Sequence, residues 1–398
     1  SSLQFTPDGQ YLLAGGRASN LYVWEVGTGA QVLTGRSPPS GFAADGRRFA
    51  GGDGSRVSIC TLLTPQALRD LSGHRASPTR LAWSGDSRRL ASLDFRSEVR
   101  VWDVDRGLPL GAFDVPRGTF YSPNAAIALS DDGSLLGYAS GGKDAVAVLA
   151  DASTGKELDR WPLPTGFERM VYAGGRFLLL REEETHAGKF DWQTVAREFG
   201  PDHSPADSMR IVRPAVAGEV DFHTSGLTAD GRFYWWIGPR RPPANMRAEV
   251  REIATGRLVK SVPIPQVQEA QTWDGFVTPD GGELWLIGQG GWTAHDLTGA
   301  RPSEPRAPGP FGWALGSGWE LVSNLSQEMR GTPALTIRRA GGPMWLELMS
   351  RDLAGISGAC FSPDGRRAAW GSGHSTVSII DLPLLQREVG EFERLLPQ

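Results

Sequence analysis

A turn rich in Asp and Gly returns nine times along this chain, at intervals of about 37 to 56 residues. It reads Thr6-Pro7-Asp8-Gly9, Ala44-Asp45-Gly46, Gly85-Asp86-Ser87, Asp131-Asp132-Gly133, Ala173-Gly174-Gly175, Ala229-Asp230-Gly231, Pro279-Asp280-Gly281, Gly316-Ser317-Gly318 and Pro363-Asp364-Gly365. Short apolar runs flank each turn. In the clearest copy, residues 71–104, runs at 81–83 and 90–93 are followed by Val99, Val101 and Val104 alternating with polar residues. Period-two alternation bounded by Gly, Asp and Ser predicts antiparallel strands joined by tight hairpins. A fourth strand, 110–113, follows the turn at Asp105-Arg106-Gly107.

A second marker closes the third strand of most units: VWEVGTG at 23–29, VWDVDRG at 101–107, LADASTG at 149–155, VREIATG at 250–256, HDLTG at 295–299 and IIDL at 379–382. The period is that of propeller blades. The 51 Gly and 28 Pro, spread evenly, divide the chain into segments too short for anything but strands and turns. The expected fold is therefore all-β: a single propeller over 1–398 built from four-stranded antiparallel blades, which bury their faces only by stacking in a ring. The units fall at 1–35, 36–72, 73–117, 118–165, 166–200, 219–265, 266–308, 309–353 and 354–382, with an inter-blade loop at 201–218. That gives nine blades, or eight if unit five, with its run Arg181-Glu182-Glu183-Glu184, or unit eight extends a neighbour. Trp83, Trp161, Trp235, Trp285, Trp313 and Trp370 are expected to fill the wedges between blades.

Gly73-His74 followed by Trp102-Asp103, with Trp24-Glu25 as a weaker copy, resembles the WD-repeat family of β-propellers. In that family a His, a Ser or Thr, an Asp and a Trp form a buried hydrogen-bond network. The resemblance carries three of these onto His74, Ser92 and Trp102, while the Asp position falls near Arg96. It also implies that one face of the ring binds peptides or proteins through the loops between strands two and three and between blades. The matching positions are Arg17, Asp53, Arg56, Phe95, Arg96, Lys143, Asp144, Glu183, His186, Arg240, Arg241, Gln289, Trp292, Glu328, Arg330 and His374.

Three Pro-rich stretches break the rhythm, at 200–218, 238–247 and 298–310. Long loops in repeat proteins carry what is specific, and Arg240-Arg241 beside Trp235-Trp236 suits an acidic peptide or a carboxylate. The tail 383–398 changes period: Leu385, Val389, Phe392 and Leu396 lie on one face of a short C-terminal helix, which packs on the ring or meets a partner. The first unit lacks an upstream fourth strand. Closure is expected to recruit either residues before Ser1 or the tail, and the chain is expected to be part of a larger, bacterial polypeptide.

Signals of chemistry are weak. The six histidines fall in different units without metal-ligand spacing, and no GxSxG elbow or phosphate loop is present, so no catalytic, metal or cofactor residue is assigned. Asp151-Ala152-Ser153-Thr154-Gly155 is similar to a turn of quinoprotein dehydrogenases, but Trp161 sits one residue late for that pattern. A net charge of -4 without blocks gives no nucleic-acid footprint, and no run approaches the roughly 18 apolar residues of a membrane helix. Cys60 and Cys360, 300 residues apart in strand-like runs, suggest a reducing, cytoplasmic setting. The expected function is non-catalytic: a protein-interaction or regulatory scaffold binding a protein, a peptide or other domains of its own polypeptide, with no nucleic acid and no membrane. A ligand-sensing propeller and a propeller enzyme with a central-channel site are the alternatives.

Overall fold

The computed structural model describes residues 2–15, 20–29, 31–36, 39–53, 56–116, 126–140, 145–163, 168–184, 192–202, 209–215, 224–228, 230–238, 247–263, 272–278, 281–288, 291–298, 304–305, 312–316, 319–324, 334–339, 346–348, 357–373 and 375–393. Within them the chain forms nine antiparallel sheets. Sheets one to eight span 2–36, 39–61, 78–114, 126–162, 168–213, 224–263, 272–305 and 312–348, and sheet nine is built on 357–381. Eight sheets have four strands and the second has three among the described residues.

Sheet four shows why these segments become blades. Its strands Ala126–Leu129 and Val146–Asp151 are almost wholly apolar, and Leu135–Ser140 is buried on both faces beyond its first residue. A strand covered on both sides reads as a continuous apolar run. The outermost strand, Glu157–Pro162, is polar and exposed, which protects the sheet edge. The hairpin between the first two strands is fixed by a device repeated in five sheets. The hydroxyls of Thr6, Ser84, Ser130, Thr228 and Ser362 donate to Oδ1 of Asp8, Asp86, Asp132, Asp230 and Asp364 at 2.5–2.7 Å. The same hydroxyls accept the backbone N–H of Tyr11, Arg89, Leu135, Phe233 and Arg367 at 2.9–3.0 Å. Such side-chain to backbone bonds favour the turn over any competing ladder.

The sheets stack through apolar clusters. Leu129, Tyr138 and Val148 of sheet four meet Ala91 and Val101 of sheet three. On its other side, sheet four presents Ala139 and Leu149 to Phe177 and Phe199 of sheet five. Approach here is so close that a Cβ on Gly137 would lie 2.4 Å from the Phe177 ring. Leu178 and Val212 join sheet five to Tyr234 and Trp236 of sheet six, and Trp235 and Ile237 join six to Leu284 and Leu286 of seven. Ile337 of sheet eight packs with Trp370 of sheet nine.

Among the described residues, sheet nine packs on sheets eight and three. Its first strand, Ser357–Phe361, lies against the first strands of sheets eight and three, Gly312–Gly316 and Pro78–Trp83. Its outer strand is Leu68–Ser72, paired in register with Thr376–Asp381 (Thr376 with Ser72, Ile380 with Leu68). Seven sheets thus form a continuous arc in the order eight, nine, three, four, five, six, seven. Sheets one and two stack on each other through Leu13, Leu21 and Val23 against Phe49 and Cys60, apart from that arc.

Several expectations change accordingly. All nine units appear as sheets, including five and eight, but not as nine sequential members of one ring. Strand 68–72, assigned to unit two, pairs instead in sheet nine. The stretch 201–218 contains the strand Arg210–Arg213, the outer strand of sheet five. The C-terminal helix Leu382–Glu393 starts on Asp381, whose Oδ1 accepts the N–H of Leu384 at 3.0 Å. Leu385 and Val389 pack against Trp370, Ile380, Leu63 and Leu68. Glu388 receives Arg47 Nη2 at 2.8 Å and the N–H of Thr64 at 3.1 Å, tying the helix to sheet two. The Phe392 side chain and Leu396 lie outside the described residues.

Candidate functional site

The best-defined site lies where the strands Arg89–Asp94 and Glu98–Asp103 of sheet three meet the segment 73–77. Gly73 has φ +137, and a Cβ there would stand 2.7 Å from Arg100 Nη1, so only glycine lets the backbone deliver His74 to this position. His74 Nε2 lies 2.6 Å from Ser92 Oγ, and Trp102 Nε1 donates to the same oxygen at 2.8 Å. All three side chains are buried.

The carboxyl partner is not at position 96. Asp94 and Glu98, two residues before and after it, flank His74 Nδ1 at 3.6 and 3.5 Å. Arg96 instead occupies the exposed turn between them. The signal was present in the alternation: the hairpin 94–98 begins and ends with a carboxylate, and the antiparallel register places both on one side. Burial lowers the His74 imidazole to about 4, against the pull of Asp94 and Glu98.

His74, Asp94 and Glu98 also form a cluster of ligand type for a metal ion. The donor set fits one poorly. Asp94 Oδ2 already accepts the N–H of Ala76 at 3.0 Å, and Glu98 Oε2 that of Arg75 at 3.2 Å. Glu98 Oε1 pairs with Arg100 Nη2 at 3.1 Å and Arg75 Nε at 3.4 Å. Two guanidinium groups thus fill the electrostatic role of a cation. Burial would raise the Glu98 carboxyl; Arg100 and Arg75 overcome it and hold the group below its ordinary range.

Above this network stands the turn Phe95-Arg96-Ser97. Asp94 Oδ1 accepts the N–H of Arg96 at 2.8 Å and of Glu98 at 2.9 Å, and Phe95 N–H donates to Ser77 O at 3.1 Å. Ser97, at φ 68, completes the tight hairpin. Phe95 is 66% exposed and Arg96 is exposed, so a large aromatic ring projects from a backbone fixed on three sides. Arg75, half exposed, pairs with Asp114 and with Glu98 at the end of the same hairpin. A rigid aromatic beside a guanidinium is the residue combination that anchors protein interfaces.

Of the other sequence-derived positions, Asp53 and Arg56 are cross-strand partners in sheet two, Glu183 pairs with Gln193 in sheet five and Trp292 with Ile287 in sheet seven. Only the backbone is described for these four. Arg17, Lys143, Asp144, His186, Arg240, Arg241, Gln289, Glu328, Arg330 and His374 lie outside the described residues, as do the 238–247 stretch beyond its first and last residues and most of 298–310. Trp83, Trp235 and Trp370 are buried between sheets, Trp285 is buried, and Trp161 packs on Phe199 at 5.3 Å. The turn at 151–155 is held by Asp151, whose Oδ1 accepts from Ser153 and Thr154; these bonds lower its carboxyl to about 2. It is a structural turn.

One buried ionic group escaped the sequence reading. Glu249 of sheet six receives Arg247 Nε at 2.7 Å and Arg251 Nε at 3.0 Å, with Arg213 of sheet five 3.6 Å away and 3.8 Å above the Trp236 ring. Burial would raise Glu249, and these three cations instead hold it below its ordinary range. A Glu between apolar residues in a strand was the available sign.

The family described as WD domain, G-beta repeat matches residues 1–25 and 65–103. Eukaryotic translation initiation factor 3 subunit I of Neurospora crassa is 26% identical over 155 residues, 37% of this chain and 43% of that protein. Anaphase-promoting complex subunit cdc20 of Dictyostelium discoideum is 28% identical over 132 residues, 32% of this chain and 26% of that protein. The matches span less than half the length of either relative. A solved structure, the Dos1 propeller, aligns with a TM-score of 0.48 at 13% identity, covering 96% of this chain and 91% of its own.

Proposed function

Because this chain is a WD-repeat β-propeller, we propose that it is a non-catalytic scaffold that captures a protein or peptide on the face carrying Phe95 and Arg96. The observation that supports this reading most is the exposed Phe95 ring on a hairpin whose amides from Phe95 to Glu98 all donate hydrogen bonds. An aromatic side chain held this way binds with little loss of conformational freedom. Both relatives are, by name, subunits of larger assemblies, which agrees with a protein partner.

We read sheets three to nine as one closed seven-bladed ring. Leu68–Ser72 supplies the outer strand of the last blade, and the two ends of the arc, sheets seven and eight, are consecutive in the chain. Neither cysteine forms a disulfide among the described residues, which suits a reducing, cytoplasmic setting. Among the described residues no helix is long and apolar enough to cross a membrane.

The test is quantitative capture from the protein's own host with the wild-type chain and Phe95→Ala/Arg96→Glu as baits. The double variant should lose a specific partner by at least about tenfold, as expected for an interface anchor, while melting at the wild-type temperature. Identical capture by both baits would refute the reading.

A further inference from the structure

Sheets one and two are incomplete as a structure of their own, and the missing parts have a common source. In sheet one the register puts Leu3 opposite Ala14, Phe5 opposite Leu12, Leu12 opposite Trp24 and Ala14 opposite Tyr22. These six apolar residues share the face turned away from sheet two. Leu3 is 73% and Phe5 58% exposed. In sheet two, Phe49 and Cys60 face sheet one, while Ala50 and its cross-strand partner Ile59, 53% exposed, face the opposite way. The stack therefore presents apolar surface outward from both ends. In the arc, by contrast, both faces of the second strand of sheet four are covered.

Sheet two also has an open edge. The strand Arg56–Thr61 pairs only with Arg48–Asp53 among the described residues, and the next strand, Leu68–Ser72, goes to sheet nine. That donation sets a rule visible within the molecule: the outer strand of the last blade comes from the segment just before the first blade of its ring. Where consecutive sheets stack, as from three to four and four to five, a sheet packs one face on its predecessor and the other on its successor. Sheet one uses one face for its successor, so the face on which Leu3 and Phe5 are exposed fits a predecessor on the N-terminal side. By the strand rule, sheet two awaits an outer strand from the start of that same ring.

We infer that sheets one and two are the last two blades of a second ring, whose remaining four-stranded blades, and the strand completing the Arg56–Thr61 edge, are supplied by the same polypeptide N-terminal to Ser1. The inference rests on reading sheets three to nine as a separate closed ring. The Arg47–Glu388 pair and the Thr64–Glu388 bond then staple the two rings together through the C-terminal helix. An open, apolar sheet edge left uncovered is a site of self-association, so the occupant protects as well as completes it.

Amide hydrogen exchange on the 398-residue chain and on the native polypeptide that includes its N-terminal extension tests this. Amides of Arg56–Thr61 should exchange as an open edge in the shorter chain and slow by at least about 100-fold in the longer one. Ile59→Glu should leave the melting temperature of the shorter chain unchanged and lower that of the longer. Equal protection in the two chains, protection of the shorter chain that grows with its concentration, or a native polypeptide without further strands before Ser1 would overturn the inference. Exchange at Leu68–Ser72 reads the other premise separately: rapid exchange there in both chains would sink the seven-bladed ring itself.

Discussion

Ser378 Oγ donates to Asp70 Oδ1 at 2.5 Å, joining residues 308 positions apart. Ser378 lies on the third strand of the last sheet and Asp70 on a strand that precedes the third. A contact of such sequence separation costs loop-closure entropy that only a cooperative structure recovers. The strand pairing around it ties the segment that leads into sheet three to the last sheet of the chain.

Stability should therefore divide residues that sequence places in the same repeat. Leu71 is 2% exposed and packs among Trp83, Trp102 and Val377, whereas Ile59 is 53% exposed on a strand paired along one edge among the described residues. Leu71→Ala should cost about 3 kcal/mol and Ile59→Ala less than about 0.5 kcal/mol in the 398-residue chain. Denaturant unfolding of the two variants compares them directly; equal losses would contradict the placement of strand 68–72.

The sequence made the strands legible because each unit carries its own turn chemistry. The Ser/Thr–Asp pair in the first hairpin, as in Ser84 and Asp86, acts within five residues and needs no information from the rest of the fold. Membership of a ring was not legible, since it is decided by which apolar faces meet, and residues such as Leu71 look alike whether they pair forward or backward. The site was half legible. His74, Ser92 and Trp102 could be placed by spacing, but the acid could not, because a shorter hairpin moves it from position 96 to 94 and adds Glu98 opposite.

Ser92 holds two buried groups at once, the Trp102 indole N–H and His74 Nε2. Ser92→Ala removes both partners without making a large cavity. Two buried polar atoms left unpaired should cost about 3 kcal/mol, measurable as a lower urea midpoint at unchanged m-value.

His74 makes the fold sensitive to acid. Its imidazole is held at about 4, below the ordinary value, so the folded chain keeps it neutral. Stability from this group is fully present above about pH 6.5 and is lost as pH falls toward 4. Glu98, also held low, adds a loss below its ordinary range. Between pH 6.5 and 4.5 the wild type should destabilise more steeply than His74→Gln. Parallel melting curves for the two proteins across that interval would show that His74 is not the responsible group.

The seven-bladed reading depends on a ring that closes between its first and last members through the strand Leu68–Ser72. Ser378 and Asp70 are cross-strand partners, within the reach of a disulfide. Cys360 does not compete in the reaction, since burial of its sulfur atom pushes the thiol up to about 12. The decisive measurement is oxidation of the native Asp70→Cys/Ser378→Cys variant under mild conditions, followed by peptide mapping. The account predicts rapid, near-complete formation of a 70–378 bridge in monomeric protein with a raised melting temperature. Two persistent free thiols in the folded monomer would contradict it.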